Sequence, residues 1–275
     1  MERAKLDGIE IEYEIRGAGE PVVLIHPGHF ADWFAPLFDE PALTDRYLVV
    51  KYHRVGCAGS SRVTGPVSLA QHAAHSRSLM RHLGIAKAHV VGHSSSANLA
   101  LQLALDAPDV VHSLGILEPA LYSVPSAAAS RAFVGVAMQQ FRDGNKAGAI
   151  DTFLRGVCGP DYRVALDRAL PHAFDQHVRD ADTFFNQELP ALQQWSFSQD
   201  QARRIVQPVL AVIGERTPES GPIWQERQQL LLSWLPNVEP FVLPRATHLL
   251  HIENPGDMAE GLADFFNRHP LEGSA

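Results

Sequence analysis

Positive charge is scarce in this 275-residue chain: 23 Lys and Arg stand against 31 Asp and Glu, a formal net charge of −8. With no local basic patch visible either, the chain offers no attraction to phosphate backbones or anionic lipid, so neither nucleic acid nor a membrane surface is expected as a partner. Cysteine is scarce too. Cys57 and Cys158 lie far apart and form no CxxC pair, which points away from a disulfide framework and a cysteine-based zinc site and toward a reducing compartment. No apolar run approaches the roughly 18–20 residues of a membrane span, and Met1–Asp7 lacks the apolar stretch of a signal peptide. A cytoplasmic protein is the expectation. Repeats and low-complexity tracts are missing, apart from a short loose tail, Leu271 to Ala275. What remains is 45% apolar and 20% charged residues, a globular composition, at a length that fits one large domain or a domain with an insert.

Ile9 to Ile15 alternates apolar and polar residues with the period of a half-buried strand, and Gly17-Ala18-Gly19-Glu20-Pro21 then turns the chain, so an antiparallel hairpin is expected there. Beyond it come short apolar runs, Val22–Ile25, Tyr47–Val50, His89–Val91, Leu114–Leu117, Val209–Ile213 and Pro240–Leu243, separated by stretches of helical period. Such runs suit strands buried on both faces of a mostly parallel sheet. Ser68 opens a capping box, and helices are expected from there toward Leu83, over Ala97–Ala107, and over Ile223–Leu235. Between Leu117 and Val209 no convincing strand appears. Helical stretches there, broken at Gly159-Pro160 and Pro190, predict a helical cap over residues 121–205 inserted into an α/β core of residues 1–120 and 206–275.

After His89–Val91 comes Gly92-His93-Ser94-Ser95-Ser96, and helix-forming Ala97–Leu101 follows at once. A nucleophile on a sharp strand-to-helix turn needs small residues two positions to either side, and Gly92 and Ser96 meet that need. The helix N-terminus behind Ser94 also favours negative charge developing on a bound oxygen. Serines capping a helix explain the same residues equally well. Two further segments weigh against that plain reading. His26-Pro27-Gly28-His29 follows the first buried strand, and Ala246-Thr247-His248 follows the last.

Together these segments resemble the α/β-hydrolase superfamily over nearly the whole chain. The resemblance implies an α/β-hydrolase fold, with Ser94 as nucleophile, His248 as general base, and the N–H groups of Gly28 and Ser95 as the oxyanion hole. Tyr52–Ser61 resembles the family's glycine-rich loop after the fourth strand, a structural landmark. Ser96, Thr247 and Pro27 stand where glycines are usual. The larger departure is in the loop Gly214–Ser220, where Thr217 occupies the usual place of the triad aspartate. A threonine neither orients an imidazole nor balances its charge. Glu118, directly after the sixth strand, is the alternative acid, preferred over Glu215 and Glu219. That placement resembles haloalkane dehalogenases, whose aspartate nucleophile Ser94 excludes, and serine hydrolases of the zearalenone-lactonase type, which also carry a Thr-Pro and Glu-Ser in the seventh-strand loop.

The expected activity is hydrolysis of a carboxylic ester or lactone of a hydrophobic small molecule through an acyl-enzyme, with no cofactor and no metal. Carbon–carbon bond hydrolysis and a non-catalytic ligand-binding protein of the same fold are the alternatives. His29, Phe30 and Trp195 are the candidate pocket residues; Phe133, Phe184, Phe185 and Met138 read as ordinary packing. The fourteen histidines include no metal-binding spacing, His72 and His75 reading as residues of a surface helix. A homodimer is the one assembly kept open.

Overall fold

Apolar runs with β-branched residues become the strands of one eight-stranded sheet in the computed structural model, which describes residues 1–271, with side chains described except at 129–131. Of the tail expected over Leu271 to Ala275, residues 272–275 lie outside the described residues. The strands are β1 (Glu2–Leu6), β2 (Ile9–Arg16), β3 (Glu20–Ile25), β4 (Tyr47–Tyr52), β5 (Ala88–His93), β6 (Val111–Leu117), β7 (Val209–Gly214) and β8 (Val238–Leu243). They lie in the order β1-β2-β4-β3-β5-β6-β7-β8, antiparallel at β1-β2 and β2-β4 and parallel from β4 onward.

The hairpin is displaced from where the alternation predicts it. β2 pairs backward with β1 across Asp7-Gly8, both at positive φ (46° and 88°). Asp-Gly is a favoured pair for such a two-residue turn. Gly17–Pro21 instead carries the chain to β3, which is separated from β2 by β4.

Side chains of the central strands alternate between two cores, as a period of two requires. Val23, Ile25, Val90, Leu114, Ile116, Ala211 and Ile213 pack on one face with the helices Leu69–His82, Ser95–Asp106 and Ile223–Trp234. Val22, Leu24, Val91, Leu117, Leu210 and Val212 pack on the other with Pro255–Arg268. β5 and β7 are buried along their whole length, and β7 accordingly reads as an unbroken apolar run, Val209–Ile213. Ser68 and Gln71 exchange capping hydrogen bonds at 3.2 and 2.8 Å, so the predicted box forms.

Between β6 and β7 the chain runs through helices, chiefly Ala127–Arg142, Lys146–Cys158, Tyr162–Ala169 and Ala173–Arg179, then a π-helical turn Phe184–Glu188 and Leu189–Gln194. A third core, with Ile150, Leu154, Leu166, Phe184 and Leu189, ties this segment to Phe30, Trp33, Leu249 and Ile252 on the rim of the sheet. The rim beneath it is where β3, β5, β6, β7 and β8 all end. Among the described residues no helix is long and apolar enough to cross a membrane.

Candidate active site

Ser94 sits on the turn between β5 and the helix Ser95–Asp106 with φ 54° and ψ −120°. A non-glycine residue in such a region costs about 1–3 kcal/mol and persists only where surroundings over-determine it. Here the Ser94 N–H donates to Leu117 O (2.9 Å), and its carbonyl accepts from Ala97 N (3.1 Å) and Ala120 N (3.3 Å). Strand and helix come so close that a Cβ on Gly92 would lie 2.3 Å from Ser96 O. Ser96 fits at the far side because its hydroxyl accepts from His93 N (2.9 Å) and donates to Ile25 O. Ser94 and Ser95 remain half-buried in a sheet rim that is otherwise closed.

Glu118 is the next residue after β6 and keeps sheet register, its N–H donating to Val212 O at 3.1 Å. Its φ of 42° turns the side chain along the rim. One carboxylate oxygen accepts from Gly214 N at 2.8 Å, and the other is hydrogen-bonded to His248 Nδ1. Gly214 permits this, since a Cβ there would meet Ala246 O at 2.4 Å and Thr217 Oγ1 at 2.5 Å. Both Glu118 and His248 are buried. The carboxylate partner at Nδ1 leaves Nε2 as the free ring nitrogen, the arrangement a general base needs.

The rival acids stand elsewhere. Glu215 accepts from Arg245 N at 2.7 Å, and Glu219 pairs with Arg216 at 3.2 Å, both exposed. Thr217 is buried with its hydroxyl unpartnered.

Two rings flank the imidazole. Trp224 stacks on His248 with centroids 3.9 Å apart and planes at 30°, and His93 lies 4.7 Å away on the elbow. The Trp33 indole N–H donates to His93 Nδ1 at 2.6 Å. Burial, and next the neighbouring His248, hold the His93 ring well below the ordinary histidine range, so it is neutral and its proton sits on Nε2. Ligand atoms of His93, Glu118 and His248 lie within 4.8 Å of one another. This trio is a poor metal site, because His93 Nε2 carries a proton fixed by the indole and His248 Nδ1 is bonded to Glu118. His251, one turn on, is buried with Nε2 bonded to Trp33 O (3.0 Å) and its ring stacked on Phe34, away from the elbow serine's role.

The loop after β3 is held by Arg54. Its Nε donates to His26 O (3.1 Å), its Nη2 to Gly28 O, and its own N–H donates to His26 Nε2 (2.9 Å). Across this loop Arg54 pairs with Glu188 of the helical segment at 2.5 Å. With both neighbouring carbonyls engaged, the Gly28 N–H is left facing the elbow, where it donates to Ser95 Oγ at 2.8 Å.

A cavity of about 480 Å³ opens over Ser94, walled by Gly28, Phe30, Ser95, Tyr122, Phe133, Phe153, Phe184, Trp224 and Arg227. Several expectations need correcting. His29 is fully buried between Phe30, Phe184 and His177, behind the wall. Trp195 stacks on Phe197 and donates to Gln102 at 2.7 Å, on a different groove. A tryptophan with apolar neighbours and one polar handle satisfies both there. Phe133 and Phe184 line the cavity, and His72 is buried near Glu188, because one face of its helix turns inward. Trp224 and Arg227 were invisible in the sequence, although their spacing of three on one helix puts them on one face.

The model of the alpha/beta hydrolase family matches residues 22–261. The chain belongs to that family. Among curated relatives of this chain, a dihydrolipoyllysine-residue acetyltransferase component of an acetoin cleaving system from Cupriavidus necator is 39% identical over 116 residues, 42% of this chain and 31% of that protein. A putative carbamate hydrolase from Caulobacter vibrioides is 41% identical over 118 residues, 41% of this chain and 42% of the relative. The aligned stretches thus span less than half the length of these relatives. In fold, the chain resembles the enol-lactonase from Burkholderia xenovorans, with a TM-score of 0.80 at 22% identity over 97% of this chain and all of the other.

Proposed function

We propose that this hydrolase is a serine enzyme cleaving a carboxylic ester or lactone through an acyl-enzyme, with a helical cap over residues 121–205 roofing the site. The observation that carries the reading is the buried hydrogen bond from His248 Nδ1 to Glu118, on the same rim as the strained Ser94. Ser94 Oγ attacks the carbonyl while His248 Nε2 takes its proton; Glu118 holds the tautomer and balances the imidazolium. The N–H groups of Gly28 and Ser95 receive the oxyanion. The Ser95 hydroxyl, bonded to Gly28 N in the free enzyme, rotates away as the substrate oxygen enters. His248 returns its proton to the leaving group, then activates water to release the acid. No step requires a cofactor. The Thr-Pro and Glu-Ser of the β7 loop, with an acid after β6, support kinship with the zearalenone-lactonase type.

A fluorophosphonate probe tests this reading. Intact-protein and peptide mass spectrometry should find one adduct, on Ser94, absent from Ser94→Ala, with hydrolysis of a chromogenic ester lowered by roughly four to six powers of ten in that variant. Folded wild-type protein that neither labels nor hydrolyses esters would instead be a binding protein.

A further inference from the structure

Arg227 lies on the helix Ile223–Trp234, one turn beyond the Trp224 that stacks on His248, in the wall of the cavity over Ser94. It is 5% exposed. Its Nε donates to Leu121 O at 2.8 Å, and its guanidinium lies 4.8 Å from the centre of the Trp224 ring. Among the described residues no carboxylate pairs with it, and its Nη groups have no hydrogen-bond acceptor. The acids nearest in chain and space are committed elsewhere: Glu226 accepts from the N–H and hydroxyl of Ser126, at 2.9 and 2.7 Å, and Glu118 accepts from Gly214 and His248.

The only other arginine buried among the described residues shows what a closed site looks like. Arg54 is paired with Glu188 and bonded to two carbonyls. A buried guanidinium without a counter-ion is costly, and its planar fork suits a carboxylate better than any neutral acceptor. Burial draws the Arg227 pKa down to about 10, which still leaves it a cation at neutral pH.

We propose that the missing counter-ion is part of the substrate: the ester or lactone cleaved here carries a carboxylate, held by Arg227, on an otherwise apolar body. This rests on the serine hydrolase reading and narrows it, since the aromatic walls alone favour a neutral hydrophobic ligand. The distance fits a compact molecule. The guanidinium lies 4.8 Å from the Trp224 ring centre and that ring 3.9 Å from the His248 ring, so the anion is held close to the imidazole.

Two matched pairs test the assignment. One is the para-nitrophenyl monoester of adipic acid against its carboxamide analogue, placing the charge on the acyl side. The other is the butyrate ester of para-hydroxyphenylacetic acid against that of the acetamide, placing it on the leaving side. Wild-type enzyme should prefer the acid in at least one pair by about tenfold or more in kcat/KM, the change residing in KM. Arg227→Gln should bring that acid-to-amide ratio within about threefold of one, whatever its rate on the amides; Arg227→Lys should keep part of it. A wild-type ratio near one in both pairs overturns the proposal whatever the variants' stability, as does a preference that survives in Arg227→Gln. If neither pair is hydrolysed, the serine hydrolase reading fails separately. Quenching of tryptophan fluorescence by adipate and para-hydroxyphenylacetate against their amides then decides the anion site. Tighter binding of an acid to wild type, lost in Arg227→Gln, supports it; equal binding of acid and amide overturns it.

Discussion

The loop after β6 and the loop after β7 lie side by side on one rim of the sheet, and both carry glutamates. The first offers Glu118, whose backbone is still in sheet register and whose two carboxylate oxygens are taken up by Gly214 and His248. The second offers Glu215 and Glu219, which turn outward to Arg245 and Arg216, while Thr217 buries an unpartnered hydroxyl. The difference teaches that an acid's usefulness to an imidazole is set by burial and by what holds its other oxygen, more than by the loop it comes from. A carboxylate in water can turn to any partner; one anchored by a backbone N–H in a closed site has one orientation.

Relocating the acid is the harshest test of that comparison. Glu118→Ala should cost roughly three powers of ten in kcat/KM, since it leaves the imidazole without a tautomer partner. Adding Thr217→Asp to that variant should recover at least about tenfold, because the position is buried beside Gly214, next to the vacated site. Failure of the double variant to exceed the single one, with both folded, would mean that the β7 loop cannot reach His248.

Acid stability gives a smaller effect. Burial pulls His29 and His251 down to about 3, far below an ordinary histidine, so both are neutral in the fold. The unfolded chain binds protons at these rings below about pH 6.5 and the folded one does not. Their contribution is therefore complete above that pH and is lost as pH falls toward 3. Between pH 6.5 and 5 each ring should lower stability by up to about 2 kcal/mol, visible in urea unfolding curves. Equal midpoints and slopes at pH 7 and 5 would contradict their neutral burial.

The smallest effect belongs to Thr217. Thr217→Val removes a buried hydroxyl that bonds to nothing, so unfolding free energy should change by less than about 1 kcal/mol and ester hydrolysis by less than about twofold. A larger loss of activity would return the β7 loop to the mechanism.

Much of the rim was legible before the structure, and for physical reasons. The buried strands β5 and β6 declare themselves by short apolar runs, which places Ser94 and Glu118 directly after strand ends, and His248 follows the half-exposed β8 by five residues. The N-terminal hairpin was misplaced because β1, Glu2-Arg3-Ala4-Lys5-Leu6, hides its alternation behind charged residues on the open edge of the sheet, although Asp7-Gly8 marks the turn. Pocket walls were hardest. His29 and Phe30 are neighbours in sequence, yet only Phe30 faces the cavity, and Trp195 stacks on Phe197 instead. Which side of a helix faces a cavity depends on how packed elements meet, and a single strand of letters carries that only weakly. Arg227 illustrates the same limit, since an arginine on an amphipathic helix ordinarily reads as a solvent-facing charge.

Glu118→Gln, assayed beside Glu215→Gln and Glu219→Gln on one chromogenic ester, measures the central claim most directly. The amide preserves size but cannot favour the required tautomer or balance the imidazolium, so kcat/KM should fall by roughly a thousandfold in Glu118→Gln and by less than about threefold in the other two. A Glu118→Gln enzyme that keeps more than about a tenth of wild-type activity, or an equal loss at Glu215 or Glu219, would contradict the assignment of the acid to the loop after β6.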